Sequence, residues 1–99
     1  MNTDIISEDI LKKAIDKGFK CKSYETITIY DIMKWLREEK KLYVNPDLVL
    51  VKNGLNWDFT IIDLNTSDIV FESLAKYSSY EEASIIGIEY VLDKKLIKL

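Results

Sequence analysis

Seventeen carboxylates, fourteen cations and a single thiol carry most of the ionisable chemistry of this 99-residue chain, and no histidine joins them. The missing imidazole removes the commonest general base near neutral pH, the Ser-His and Cys-His nucleophile pairs, and the commonest zinc ligand. Cys21 is the sole cysteine, so one chain builds neither a disulfide framework nor a thiolate metal site. Three scattered glycines fit neither of the phosphate-cradling patterns, G-x-x-x-x-G-K-[ST] and G-x-G-x-x-G. Among the carboxylates, Glu38/Glu39 and Glu81/Glu82 are adjacent pairs. Neighbours on a helix point about 100° apart and do not easily share a proton or a metal, so both pairs read as solvated surface and dipole partners. Asp58, Asp63 and Asp68 could line one side of a sheet as a divalent-cation site, but their spacing is not that of a calcium loop. The expectation is a protein that is not an enzyme and holds no metal and no cofactor.

One constellation points to phosphate or nucleic acid instead. Tyr30, Lys34, Arg37 and Lys41 fall on a single stripe of a helix, opposite the flank that holds Asp31 and Glu38. Cations beside an aromatic ring can grip a backbone and stack a base. The plainer reading is a solvated face with snorkelling side chains. Trp35 projects at the edge of the neighbouring apolar face, beside Glu39, and reads as a core-rim residue before a ligand platform.

The elements that would position these residues are marked by their caps. In "SEDILKKAIDKGF", Ser7 is a natural N-cap, Glu8 and Asp9 suit the helix dipole, and Gly18 suits a left-handed exit. A helix is expected over 8–17, with Ile10, Leu11, Ala14 and Ile15 as its apolar face. Residues 20–26 could add a short edge strand. Thr28 and Asp31 resemble a capping box, and Ile29, Ile32, Met33 and Leu36 follow the spacing of a buried face, so a second helix is expected over 29–41. The period then changes. Val, Ile, Phe and Trp crowd into segments punctuated by Asn53-Gly54, suited to a type I′ turn, and by the turn "NTSD" at 65–68. Trp57, Phe59 and Ile61 alternate with Asp58 and Thr60, the pattern of a half-buried antiparallel strand. Strands are expected near 47–52, 56–64 and 68–73.

"SSYEEASIIGIEYVL" closes the chain with a helix that starts at Tyr80, behind Ser79 and Glu82 in the S-x-x-E arrangement. Lys94, Lys95 and Lys98 stand at the end that favours cations. Ala83, Ile86, Gly87, Tyr90 and Val91 share one face, where Ala83 and Gly87 permit close approach to a sheet. Ile85, Ile88 and Leu92 make a second apolar stripe, and a helix on a sheet needs only one. Either the first two helices of the same chain cover that stripe, or a partner does, most simply a second copy.

Composition limits the class. With 47% apolar and 31% charged residues, one proline and three glycines, the chain reads as one globular domain without linkers or repeats. Residues 1–50 balance nine basic against nine acidic side chains, and 51–99 set five against eight, which supplies the net charge of −3. A duplex-coating protein needs a basic face that this balance does not provide. No secretory signal pattern opens the chain and no apolar run approaches the roughly 20 residues of a membrane span, so a cytoplasmic location without membrane partners is expected.

"KWLREEKKLYV" at 34–44, "NWDFTI" at 56–61 and "SYEEASIIGIEYVL" at 79–92 together resemble a family of small uncharacterised proteins from gut-bacterial phages, prophages and mobile elements. The likeness runs in order over about residues 28–92. Trp35, Leu36, Arg37 and Glu38 match the family's tryptophan-leucine-arginine-glutamate core, and Ser79 to Ala83 match the start of its closing helix. Family members often carry a histidine just after the position of Glu38, where this chain has Glu39-Lys40-Lys41, so no role resting on that histidine carries over. The resemblance implies a compact α+β domain of the bacterial cytoplasm with no assigned activity, and so no catalytic residues.

The fold expected is a single α+β domain over 1–99, in the order α-(β)-α-β-β-β-α. Its three-stranded antiparallel sheet, four-stranded if 20–26 joins, is packed by helices. The function expected is a non-enzymatic interaction module of phage or mobile-element type. It would act as a homodimer or dock to a host or phage protein through Ile85, Ile88 and Leu92. The alternative is single-stranded nucleic-acid binding through Tyr30, Lys34, Arg37 and Lys41.

Overall fold

A computed structural model describes residues 4–22, 26–52 and 54–94, and it carries an α+β fold in the order α-α-β-β-β-α. Helix α1 (Glu8–Asp16) is capped by Ser7, whose hydroxyl accepts from the Ile10 N–H. It ends in a Schellman motif: Gly18 donates to the Ile15 carbonyl and Phe19 to that of Ala14, with Gly18 at φ +109°. Ile10 and Ala14 are buried as expected, Leu11 packs at the core margin, and Ile15 stands in solvent.

Helix α2 (Ile29–Glu39) has the full capping box, with Thr28 Oγ1 accepting from the Asp31 N–H and Asp31 Oδ2 accepting from the Thr28 N–H at 2.9 Å. The N-terminal segment ties itself to this start, Ile6 donating to the Ile27 carbonyl and Ile29 to that of Asp4. All four expected core residues, Ile29, Ile32, Met33 and Leu36, are buried. The helix stops two residues sooner than expected, because Lys41 takes φ +57° and turns the chain straight into a strand.

Strand β1 (Leu42–Val51) therefore starts five residues before the expected 47, and it pairs antiparallel with β2 (Gly54–Asp63) along its whole length. Val51 lies opposite Gly54, so Gly54 opens β2, and Asn53 lies outside the described residues. Strand β3 (Asp68–Glu72) adds to the far side of β2, with a register shift between Ile61 and Ile62. The sheet order is β1-β2-β3, so β1 is an edge. No strand forms at Lys20–Lys22 or Thr26, and residues 23–25 lie outside the described residues.

Helix α3 (Tyr80–Asp93) begins where its cap requires, Ser79 Oγ accepting from the Glu82 N–H at 3.0 Å. Glu82 reaches one residue further back than in a standard box and accepts from the N–H and hydroxyl of Ser78. Those bonds favour the carboxylate and hold its pKa below the ordinary value, the hydroxyl contributing most. Lys95 and Lys98 lie outside the described residues.

All three helices lie on one side of the sheet, and the molecule is only 18 Å thick in its smallest dimension, one sheet and one helical layer. Gly87 makes the closest approach. A Cβ built there would stand 2.6 Å from Val44 Cγ1 and 3.2 Å from Phe59 Cδ2, so glycine alone fits. Around this contact Phe59, Phe71, Tyr77 and Tyr90 form an aromatic cluster, with Phe71 stacked on Tyr90 at 4.0 Å.

Candidate interaction surface

The second stripe of α3 is largely covered from within the chain. Ile88 is fully buried and Leu92 is 4% exposed, both inside the cluster that α1 and α2 close over α3. Their proposed role as a partner surface is corrected accordingly: they are core residues. Lys13 of α1 reaches Asp93 across the same junction at 2.9 Å. Ile85 is only half-buried, and with Ile86 it walls a shallow groove of about 270 Å³ beside Ser79, Glu81 and Glu82.

The basic stripe is not one surface. Tyr30, Lys34 and Arg37 are exposed on α2, whereas Lys41 lies beyond the helix end in a left-handed turn, where its carbonyl accepts from the Leu64 N–H. Tyr30 stacks on Tyr80 at 6.3 Å, and Tyr80 meets the edge of Trp57 at 5.6 Å. The Tyr30 phenol is pushed above its ordinary pKa by partial desolvation, then by the nearby carboxylates of Asp4 and Glu81. An acidic neighbourhood repels phosphate. None of the four lines the groove beside Ile85 or the cleft beside Trp35.

That cleft, about 360 Å³, is walled by Gly18, Phe19, Lys20, Trp35, Glu39 and Lys40. Trp35 is half-buried at the core rim, as its position in the sequence suggested. Phe19 meets its ring edge-on at 5.4 Å and the Lys40 ammonium sits 5.7 Å from its centre. Of the cleft's two lysines, Lys20 and Lys40, Lys40 is thus already engaged by the ring.

The aspartates separate as well. Asp58 and Asp63 lie an odd number of residues apart on one strand and point to opposite faces, which contradicts a shared site with Asp68. No cluster of three metal-ligating side chains occurs among the described residues. Asp58 instead faces Asp47 across the strands on the helix-free face, near Glu72. One of its oxygens is buried without a hydrogen-bond partner among the described residues. Desolvation, then the charges of Asp47 and Glu72, push its carboxyl above the ordinary value of 3.8.

A run of bare apolar residues lies along the β1–β2 hairpin. Register places Leu42, Val44, Pro46, Leu48 and Leu50 of β1 on the helix-covered face, opposite Asp63, Ile61, Phe59, Trp57 and Leu55. Leu42, Val44, Phe59 and Ile61 lie buried beneath the helices. Further along the same face, Leu48 is 52%, Leu50 81% and Leu55 60% exposed. The helical layer ends before the hairpin does. Leu74, in the connection to α3, is exposed to a similar degree. Each leucine, once covered, would contribute about 1.5–3 kcal/mol if it were fully bare before.

The hairpin's outer edge is open too. Phe59 donates to Ser73 Oγ at 2.8 Å and accepts from the Ser73 N–H, while Trp57 exchanges both backbone bonds with Tyr77. The backbone groups of Phe59 and Trp57 therefore point away from β1. By the antiparallel alternation, those of their partners Pro46 and Leu48, and of Leu50 beyond, point outward from the sheet. Pro46 fits there because it has no N–H to leave unpaired. No backbone bond among the described residues reaches the outward groups of Leu48 or Leu50. The "LVLVKNGLNW" stretch carried the alternation that marks these leucines, but alternation alone does not say where covering helices stop.

No family model matches the chain, and no curated protein or solved structure matches it. No helix among the described residues is long and apolar enough to cross a membrane.

Proposed function

We propose that this protein is a non-enzymatic interaction module that docks a protein partner through the tip of the β1–β2 hairpin. The observation that carries the reading is the run of Leu48, Leu50 and Leu55 beyond the helical layer, more than half bare on a face that is core elsewhere. Contiguous exposed leucines beside an unpaired strand edge are features that soluble domains keep for contacts. The resemblance of residues 28–92 to small phage and mobile-element proteins supports an accessory role in that setting. Single-strand nucleic-acid binding through Tyr30, Lys34, Arg37 and Lys41 is the lesser reading, because Lys41 leaves the helix and carboxylates surround Tyr30.

The test is a photo-crosslinking amino acid placed at position 50, with position 37 on α2 as control, in bacteria expressing the chain. The reading expects protein adducts from position 50 and few or none from position 37. Adducts from position 37 alone, or from neither, overturn it.

A further inference from the structure

We propose that the partner is a second copy of this chain, and that two hairpins join edge to edge through antiparallel pairing of β1 with β1 about a two-fold axis at Val49. This rests on the hairpin tip being the docking surface, and adds what docks there. The edge is self-complementary about Val49. With Val49 opposite Val49 of the partner subunit, Leu48 faces Leu50 of the partner subunit and Leu50 faces Leu48 of the partner subunit. Both residues send their N–H and C=O groups outward. The two pairs close four backbone bonds and leave neither residue with an orphan group.

Registers centred nearer the start of β1 are poorer. Centring on Leu48 sets Pro46 opposite the partner's Leu50, whose carbonyl then finds no donor. Centring on Asp47 sets two carboxylates face to face, and Asp47 already confronts Asp58 within each chain. In the favoured register Asp47 comes opposite the partner's Val51, so no carboxylate faces another across the seam.

The side chains agree with the backbone. Leu48 and Leu50 share the helix-covered face with Leu55 on the next strand, so the bare leucines of both copies fall side by side in one six-stranded sheet. Leu48, Leu50 and Leu55 leave on the order of 350 Å² uncovered per copy, of which edge pairing covers the flanks that face the seam. The paired edges and Val49 and Val51 add to this. The pairing buries less than the roughly 1,200 Å² at which standard interfaces begin, which is the size class of weak, reversible contacts.

Two measurements test the proposal. Sedimentation of the wild-type chain over a dilution series should show twice the monomer mass of 11.6 kDa at high concentration, falling to the monomer on dilution. Leu50→Lys, at a position that adds nothing to the monomer core, should be monomeric throughout with an unchanged circular dichroism spectrum. Val49→Cys in a Cys21→Ser background should form a disulfide-linked dimer on mild oxidation. Opposed residues of a non-hydrogen-bonded pair bring their Cα atoms to about 4.5 Å, within disulfide reach. Tyr43→Cys in the same background should stay monomeric. A wild-type monomer at every concentration, or no Val49→Cys dimer, overturns self-pairing. If position 50 then still crosslinks to a different protein, the docking surface survives and only its occupant is wrong. A dimer that persists unchanged in Leu50→Lys overturns both.

Discussion

At the scale of single residues, Gly87 and Asp58 have opposite effects on stability. Gly87 lets α3 settle on Val44 and Phe59, and a methyl group there meets Val44 Cγ1 at 2.6 Å. Gly87→Ala should therefore destabilise by about 1–2 kcal/mol in urea unfolding, although alanine is the better helix former. Asp58 keeps a charge among like charges, with one oxygen lacking a hydrogen-bond partner among the described residues. Its folded pKa is raised, so the native state holds the proton to higher pH than the unfolded chain does. The charged carboxylate destabilises at neutral pH, and that effect fades as pH falls through the raised value. Asp58→Asn should add about 0.5–1 kcal/mol at pH 7, the size of a relieved like-charge pair, and nothing below the ordinary pKa of 3.8. A gain independent of pH would contradict the electrostatic cause.

At the scale of elements, the helices were legible because their signals are local. Ser7, Thr28 and Ser79 each cap the helix they precede, and Ser79→Ala should cost about 1 kcal/mol of thermal stability. Lys41 was less legible, since a left-handed lysine leaves no mark in a helical pattern that continues through it. The early start of β1 was not legible because Pro46 interrupts the strand pattern, and a proline is tolerated there only because its nitrogen points off a sheet edge. The second stripe of α3 posed a question that α3 could not answer alone, because covering Ile88 and Leu92 depends on how α1 and α2 cross it. Ile88→Glu should place an unpaired charge in a fully buried site and cost at least about 4 kcal/mol, unfolding most of the population rather than dissociating a folded dimer. A variant that stayed folded by circular dichroism would return that residue to the surface.

At the scale of the whole molecule, one helical layer covers half of a long hairpin. That arrangement separates the alternating leucines of one strand face into a core half and a bare half. The sequence pattern is the same in both, so the division was not legible, and it now carries the proposed function, in which the hairpin tip and not the helix stripe is the contact surface. Hydrogen exchange at the Leu48 and Leu50 amides tests self-pairing there most directly, because both N–H groups point outward and find no acceptor among the described residues. At high protein concentration these two amides should exchange slowly, and dilution should make them fast while the Ile88 amide in α3 stays protected. Equal, fast exchange at Leu48 and Leu50 over the whole concentration range would contradict self-pairing of the hairpin tip.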